Sequence, residues 1–199
     1  MKKLFIIAAM SLMSMGAFAQ EMFVKPMVGG TLSTITGDHT SDAKFRLGLV
    51  AGAEFGYMVA PQFGVTAGAL VSMQGANSKD NDYLKDASTT FTYLNIPILA
   101  NYYIVPGLAV KAGIQPGFML SAKQKGSEKI LSSWVDYDES NTDGYKKFDF
   151  SIPIGLSYEF SDFVIDARYN LGLTNIIDDD HIKNKNSVIM LTIGYKIPF

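Results

Sequence analysis

The chain has 199 residues, of which 48% are hydrophobic, 12% aromatic and 18% charged, with 18 glycines and no cysteine. The lack of cysteine excludes a disulfide or thiolate-metal scaffold, the apolar content excludes a disordered chain, and a lone unbroken apolar stretch at the N-terminus excludes a helical membrane bundle. One domain remains, and 17 basic against 19 acidic residues argue against a nucleic-acid partner.

Met1-Lys2-Lys3 supplies a positive start, Leu4 to Met13 an apolar run, and Ala17-Phe18-Ala19 a small-x-small site before Gln20. This is the three-part pattern of a secretory signal peptide over residues 1–19, and the segment is short of the ~20 apolar residues that a membrane anchor needs. Without a cysteine beside the cleavage site there is no thiol to lipidate. The mature chain is then a single domain over residues 20–199.

Beyond Gln20 no window sustains a helical period, whereas strict apolar/polar alternation recurs. The pattern predicts eight strands, at 22–34, 45–59, 63–76, 90–104, 108–120, 148–160, 163–173 and 187–199. Three connections are tight turns, Ala60-Pro61-Gln62, Val105-Pro106-Gly107 and Ser161-Asp162, with recognisable turn chemistry. The other four, 35–44, 77–89, 121–147 and 174–186, are long and polar. Tight turns at one end and long loops at the other, on an even number of antiparallel strands, predict an all-β, eight-stranded antiparallel up-and-down transmembrane β-barrel.

The faces of the strands decide between lipid and water outside. In the last strand Ile189, Leu191, Ile193, Tyr195, Ile197 and Phe199 oppose Val188, Met190, Thr192, Gly194, Lys196 and Pro198. The same parity through all eight strands leaves Lys25, Arg46, Glu54, Lys111, Asp149, Glu159, Asp166, Arg168 and Lys196 on the polar faces and no charge on the apolar ones. A charged side chain at mid-depth in lipid costs about 2–4 kcal/mol, so a bilayer would enforce this segregation. A soluble lipocalin-like barrel would have to expose the uncharged wall to water, as an apolar patch far beyond what soluble monomers tolerate. Aromatic residues gather near the two ends of the apolar wall, as interfacial girdles do. Phe91 and Tyr93 fall on the inward parity instead, which fits a strand that rises above the membrane. Pro26, Pro97, Pro116, Pro153 and Pro198 lie inside the predicted strands, where each removes a ladder donor, and a bulge at Pro116-Gly117 would flip the facing of Phe118 and Leu120.

Arg168-Tyr169-Asn170-Leu171-Gly172-Leu173-Thr174-Asn175, Tyr93-Leu94-Asn95-Ile96-Pro97-Ile98 and Leu70-Val71-Ser72-Met73-Gln74-Gly75-Ala76 resemble strand signatures of the PorT-like outer-membrane β-barrel family. The terminal Phe199 is also typical of substrates of the barrel-assembly machinery. The resemblance implies the fold and an outer-membrane location in a Gram-negative bacterium; it does not imply an activity.

Eight strands enclose an interior just wide enough for side chains to fill. Five basic and four acidic inward charges favour mutual pairing, since a lone buried charge is costly, with Arg168 and Asp166, Asp149 or Glu159 as the expected anchor. The competing reading is a narrow pore for a small solute or ion, suggested by inward Gly48, Gly52, Gly56, Gly64 and Gly68. A lipid-modifying enzyme or protease is a third reading. It would need His39 or His181, both in long loops beside acids, and their spacing matches no nucleophilic motif. Asp136 to Gly144 invites comparison with a calcium loop, but Asn141 stands where Gly is required and Lys147 where Glu is required.

The loop at 121–147 carries ten charges and the lone tryptophan, Trp134. Loops of this length are usually functional or disordered. Ile130 to Val135 could pair across a hairpin above the membrane, with Trp134, Asp136 and Asp138 offered to an extracellular or envelope protein partner. The sequence therefore points to a monomeric outer-membrane barrel in contact with outer-membrane lipid, without enzymatic activity or cofactor, whose role is structural or surface-interacting.

Overall fold

The computed structural model describes residues 22–38, 40, 43–79, 84–130, 133–178 and 183–199. Residues 1–19, where a leader is expected, and His39 and His181 lie outside the described residues. In chain order the strands are β1 (Met22–Gly37), β2 (Ala43–Lys44), β3 (Arg46–Ala60), β4 (Phe63–Ser78), β5 (Leu84–Asn95) and β6 (Ile98–Val105), followed by β7 (Leu108–Ile130), β8 (Ser133–Ser140), β9 (Phe148–Phe160), β10 (Phe163–Gly172), β11 (Asn184–Tyr195) and β12 (Ile197–Pro198).

All pairings are antiparallel. β1 pairs β3, β3 pairs β4, β4 pairs both β5 and β6, and these two pair β7. The path continues through β9, β10 and β11, and β11 returns to β1 over Met27↔Gly194 to Gly37↔Asn184. The sheet closes on itself, which satisfies the backbone of its wall without leaving an edge, as a span through lipid requires. The tight turns leave Pro61-Gln62, Pro106-Gly107 and Ser161-Asp162 between strands. Gly107 and Ser161 take positive φ of 83° and 52°, the left-handed geometry that lets a two-residue hairpin follow the strand twist.

Side-chain facing follows the pleat. β10 alternates exposed and buried from Phe163 to Gly172 without a break, and β9 keeps Phe148, Ile154, Leu156, Tyr158 and Phe160 on the outer wall. Large exposed apolar residues therefore cover the outside, with Leu191 58% and Ile154 55% accessible. A surface of this kind is stable only against hydrocarbon. Near the tight-turn end Phe160 stacks on Phe163 at 5.7 Å and Phe163 meets Tyr195 edge-on at 5.3 Å. Phe118 and Phe148 meet at 5.7 Å nearer the loop end. These pairs form the two interfacial girdles.

Three features depart from the pattern expected of the sequence. The strand expected over 90–104 is divided at Ile96-Pro97, because Pro97 has no N–H to give the ladder; its carbonyl accepts from Gly68 N–H and Ile96 N–H donates to Pro116 instead. The irregularity in β7 lies at Leu120, between the pairs Thr92↔Ser121 and Tyr93↔Met119, rather than at Pro116-Gly117, so Phe118 and Leu120 still face outward at 44% and 56% exposure. The segment expected to be a loop over 121–147 is largely strand: β7 runs on to Ile130 and pairs β8 from Lys123↔Ser140 to Ile130↔Ser133.

Candidate functional site

The inward side chains stack in tiers along the barrel axis. Near the tight-turn end Glu159 receives Lys196 at 3.3 Å and the Tyr103 hydroxyl at 2.5 Å, and the Lys196 ammonium sits 4.6 Å from the centre of the Phe23 ring.

The next tier holds five charges, Lys25, Glu54, Lys111, Asp166 and Arg168, none more than 4% exposed. The β1–β3 register sets Lys25 opposite Glu54, and Lys25 Nζ reaches Glu54 Oε2 at 2.9 Å. Arg168 uses its planar fork on both acids: Nε and Nη2 donate to Asp166 at 2.5 and 2.9 Å, and Nη2 lies 2.5 Å from Glu54 Oε1. Lys111 Nζ donates to Asp166 Oδ2 at 2.5 Å and lies 3.8 Å from Glu54 Oε2. Each carboxylate thus binds more than one cation, the arrangement that offsets the desolvation of buried ions. Glycines make room for the long stems. A Cβ at Gly68 would lie 2.7 Å from Glu54 Cγ, one at Gly155 3.0 Å from Arg168 Cγ and one at Gly194 2.9 Å from Lys25 Cγ.

An apolar tier of Met27, Val50, Leu70 and Met190 follows. Above it lies a polar tier that parity alone did not single out, with Ser72, Asn95, Gln115, Asp149, Ser151, Asn170 and Asn186 all buried. Asp149 accepts from Thr174 Oγ1 at 2.5 Å and Asn186 Nδ2 at 3.2 Å. The lumen is then stoppered by Phe91, Tyr93, Met119, Ala122 and Ile176, with Tyr145 edge-on to Phe91 at 4.9 Å. The two loops that carry Tyr145 and Ile176 are tied together, since Lys146 N–H donates to the Ile176 carbonyl at 2.7 Å. Above the stopper a cleft of about 320 Å³ opens outward between Thr40, Asn77, Ser88, Gln124 and Tyr137.

Several expectations are redistributed by this stacking. Arg168 meets Asp166 and Glu54 rather than Asp149 or Glu159, which lie at other heights. Arg46 is half-buried and donates to Asn77 Oδ1 at 3.2 Å, apart from the charged tier. The inward glycines do not leave an open path: the space beside Gly56 is taken by the Phe23 ring, and a Cβ at Gly64 would lie 2.9 Å from Met58 Sδ.

At the loop end, β5, β7 and β8 form a three-stranded extension. β8 pairs only β7, so among the described residues its other edge carries no strand. Val135, Asp136 and Asp138 are exposed on it, with Lys125 paired to Asp138 at 2.7 Å and Ser127 Oγ donating to Asp136 at 2.6 Å. Trp134 stands opposite Lys129 in the β7–β8 register; its side chain lies outside the described residues.

A family model described as outer membrane protein beta-barrel domain matches residues 18–178. The chain belongs to that family. It is an outer-membrane β-barrel protein, and the outer membrane of Gram-negative bacteria is its location. Among solved structures it is similar to Ail, the attachment invasion locus protein of Yersinia pestis, crystallised with the heparin analogue sucrose octasulfate, at 17% identity over 90% of this chain and 100% of that one, with a TM-score of 0.52. Neisserial surface protein A shares 9% identity over 89% of this chain and 97% of its own, with a TM-score of 0.48. The outer membrane protein OprG from Pseudomonas aeruginosa shares 15% over 89% and 96%, with a TM-score of 0.44. No curated protein matches the chain. At 17% identity the likeness to Ail speaks for the fold of the barrel alone.

Proposed function

We propose that this protein is a monomeric, eight-stranded barrel, exported by a cleaved leader over residues 1–19, that works as a surface-interaction protein through the sheet it raises above the outer membrane. The observation that carries this reading is the open edge of β8. An unpaired strand edge displays backbone donors and acceptors that an extended segment of a protein partner can complete. The charged side chains of Asp136 and Asp138 on that strand, engaged by Ser127 and Lys125 of β7, discourage indiscriminate pairing. The filled lumen supports the same division of labour: the interior holds the cylinder in shape, and the outer sheet meets the surroundings. A small-solute pore would need the Phe91 stopper and the charged tier to part together. His39 and His181, on which a catalytic reading would depend, lie outside the described residues, and we assign the protein neither catalysis nor a cofactor. Recognition of Phe199 by the barrel-assembly machinery, and a place among PorT-like proteins, belong to the same proposal.

The test is site-specific photo-crosslinking in intact cells. A crosslinker in place of Val135 is expected to capture a protein partner, and one in place of the lipid-facing Leu191 is expected to capture lipid only. Equal capture at both positions, or none at Val135, would remove the basis for a surface-interaction role.

A further inference from the structure

The cleft of about 320 Å³ above the stopper lies in the mouth of the lumen rather than on the lipid-facing wall. It shares Ile35 with the packing around the stopper, and its sides come from β4, β5, β7, β8 and β11. It is therefore entered along the barrel axis from outside the membrane. Its volume is that of a small-molecule site.

The polar part of the lining is made of hydroxyls and amides, from Asn77, Ser88, Thr89, Gln124, Tyr137 and Asn184, and among the described residues it includes no charged side chain. Tyr137 stands opposite Gly126 in the β7–β8 register. The bare Gly126 lets the phenol reach across β7: a Cβ there would lie 2.7 Å from Tyr137 Oη and 3.1 Å from Ala87 Cα of β5. The Tyr137 hydroxyl has no hydrogen-bond partner among the described residues. Asn184 stands opposite Gly37, whose φ is 135°, and its Oδ1 is buried without a partner. Gln124 gives its Nε2 to the Tyr145 hydroxyl, which fixes that amide with its oxygen as the free end. Arg46 donates to Asn77 Oδ1 at 3.2 Å and stands behind it, outside the lining.

We propose that this cleft binds a soluble, uncharged saccharide, with Tyr137 against the sugar ring and the amide oxygens of Gln124 and Asn184 accepting from its hydroxyls. An ionic ligand would give up its hydration with no opposite charge in the lining to replace it. A sugar hydroxyl both donates and accepts, so a ring of them can serve the two amide oxygens and the hydroxyls of Ser88, Thr89 and Tyr137 together. Tyrosine adds an apolar body with a polar tip, which suits the C–H face and the hydroxyl rim of a sugar. The inference is independent of whether a protein partner completes the edge of β8.

The test uses the mature chain refolded in dodecylphosphocholine, a detergent without a sugar headgroup, and saturation-transfer difference NMR. The probes are lactose, cellobiose, maltotriose and diacetylchitobiose, with glucuronic acid as the charged counterpart. A saturable signal is expected from at least one neutral sugar. Tyr137→Ala and Asn184→Ala should each weaken it about five- to tenfold, as for the loss of a hydrogen bond. Asp143→Ala, exposed and outside the lining, should leave it unchanged. If Tyr137→Ala does not fold, as judged by gel mobility, Ser88→Leu takes its place by filling the cleft, with loss of the signal expected. A folded wild type silent toward every neutral sugar, an undiminished signal in the folded cleft variants, or a response to glucuronic acid above that of every neutral sugar would overturn the assignment.

Discussion

Neutralising Glu54 should damage the barrel by leaving the charged tier with a single acid. Glu54 is fully buried and meets Lys25 at 2.9 Å and Arg168 at 2.5 Å, with Lys111 at 3.8 Å. Glu54→Gln keeps the shape and removes the charge, so three cations are left to Asp166 alone. Breaking a buried ion pair from one side costs about 3–5 kcal/mol, because the surviving charges remain desolvated. With a urea m-value of about 2 kcal/mol/M, the midpoint falls by about 2 M. Removing one of the cations as well tests whether charge imbalance is the cause: Glu54→Gln with Lys25→Met should recover most of the loss, since apolar replacements of buried pairs are close to neutral. The assay is urea unfolding in micelles, followed by circular dichroism and by the mobility difference of folded and boiled protein on a gel. A Glu54→Gln midpoint within experimental error of the wild type would refute the claim that these ions depend on one another, and so would a double variant worse than the single.

Further perturbations probe the other layers. Leu191→Arg on the outer wall should cost about 2–4 kcal/mol by the same unfolding assay, as expected for an arginine at mid-depth in lipid. Gly56→Val drives a branched side chain into the Phe23 ring and should cost about 1–3 kcal/mol, with Phe23→Leu restoring part of it. Phe91→Ala should destabilise by about 3–5 kcal/mol as a core truncation. In planar bilayers the wild type should give no steady conductance. Replacing residues 125–138 by Asn-Gly joins Gln124 to Glu139, which face each other in register; the barrel should fold as before, and any crosslink formed from the outer sheet should disappear.

Much of the architecture was legible because the pleat imposes a period of two that a bilayer makes unforgiving. In β9 and β10 each parity assignment can be read from residue chemistry, since a slip by one residue would put Asp166 and Arg168 into lipid. The tight turns were legible for a similar reason, as Pro106-Gly107 and Ser161-Asp162 have few other uses. Parity says nothing about height, however. Strands in a barrel are tilted, so residues that share a face need not share a level, and the Arg168–Glu54 contact across the lumen has no local signature. The amide tier escaped notice because Asn and Gln carry no charge and read as ordinary polar lining. The β7–β8 hairpin was only half legible: above the membrane both of its faces are wet, the alternation fades, and pairing is left to the backbone. The stopper shows the reverse case, where Phe91 and Tyr93 stood out only as aromatic residues on the wrong face.

The glycines opposite long side chains carry a consequence for how this barrel can change over generations. Phe23 occupies the space at Gly56, and the Lys25 stem that at Gly194. Each such couple behaves as lock and key, so neither member can drift alone without collision or void. Divergent relatives should therefore exchange the two together, large for small on adjoining staves, so that the lumen is inherited as a set of paired volumes even where its letters have ceased to match.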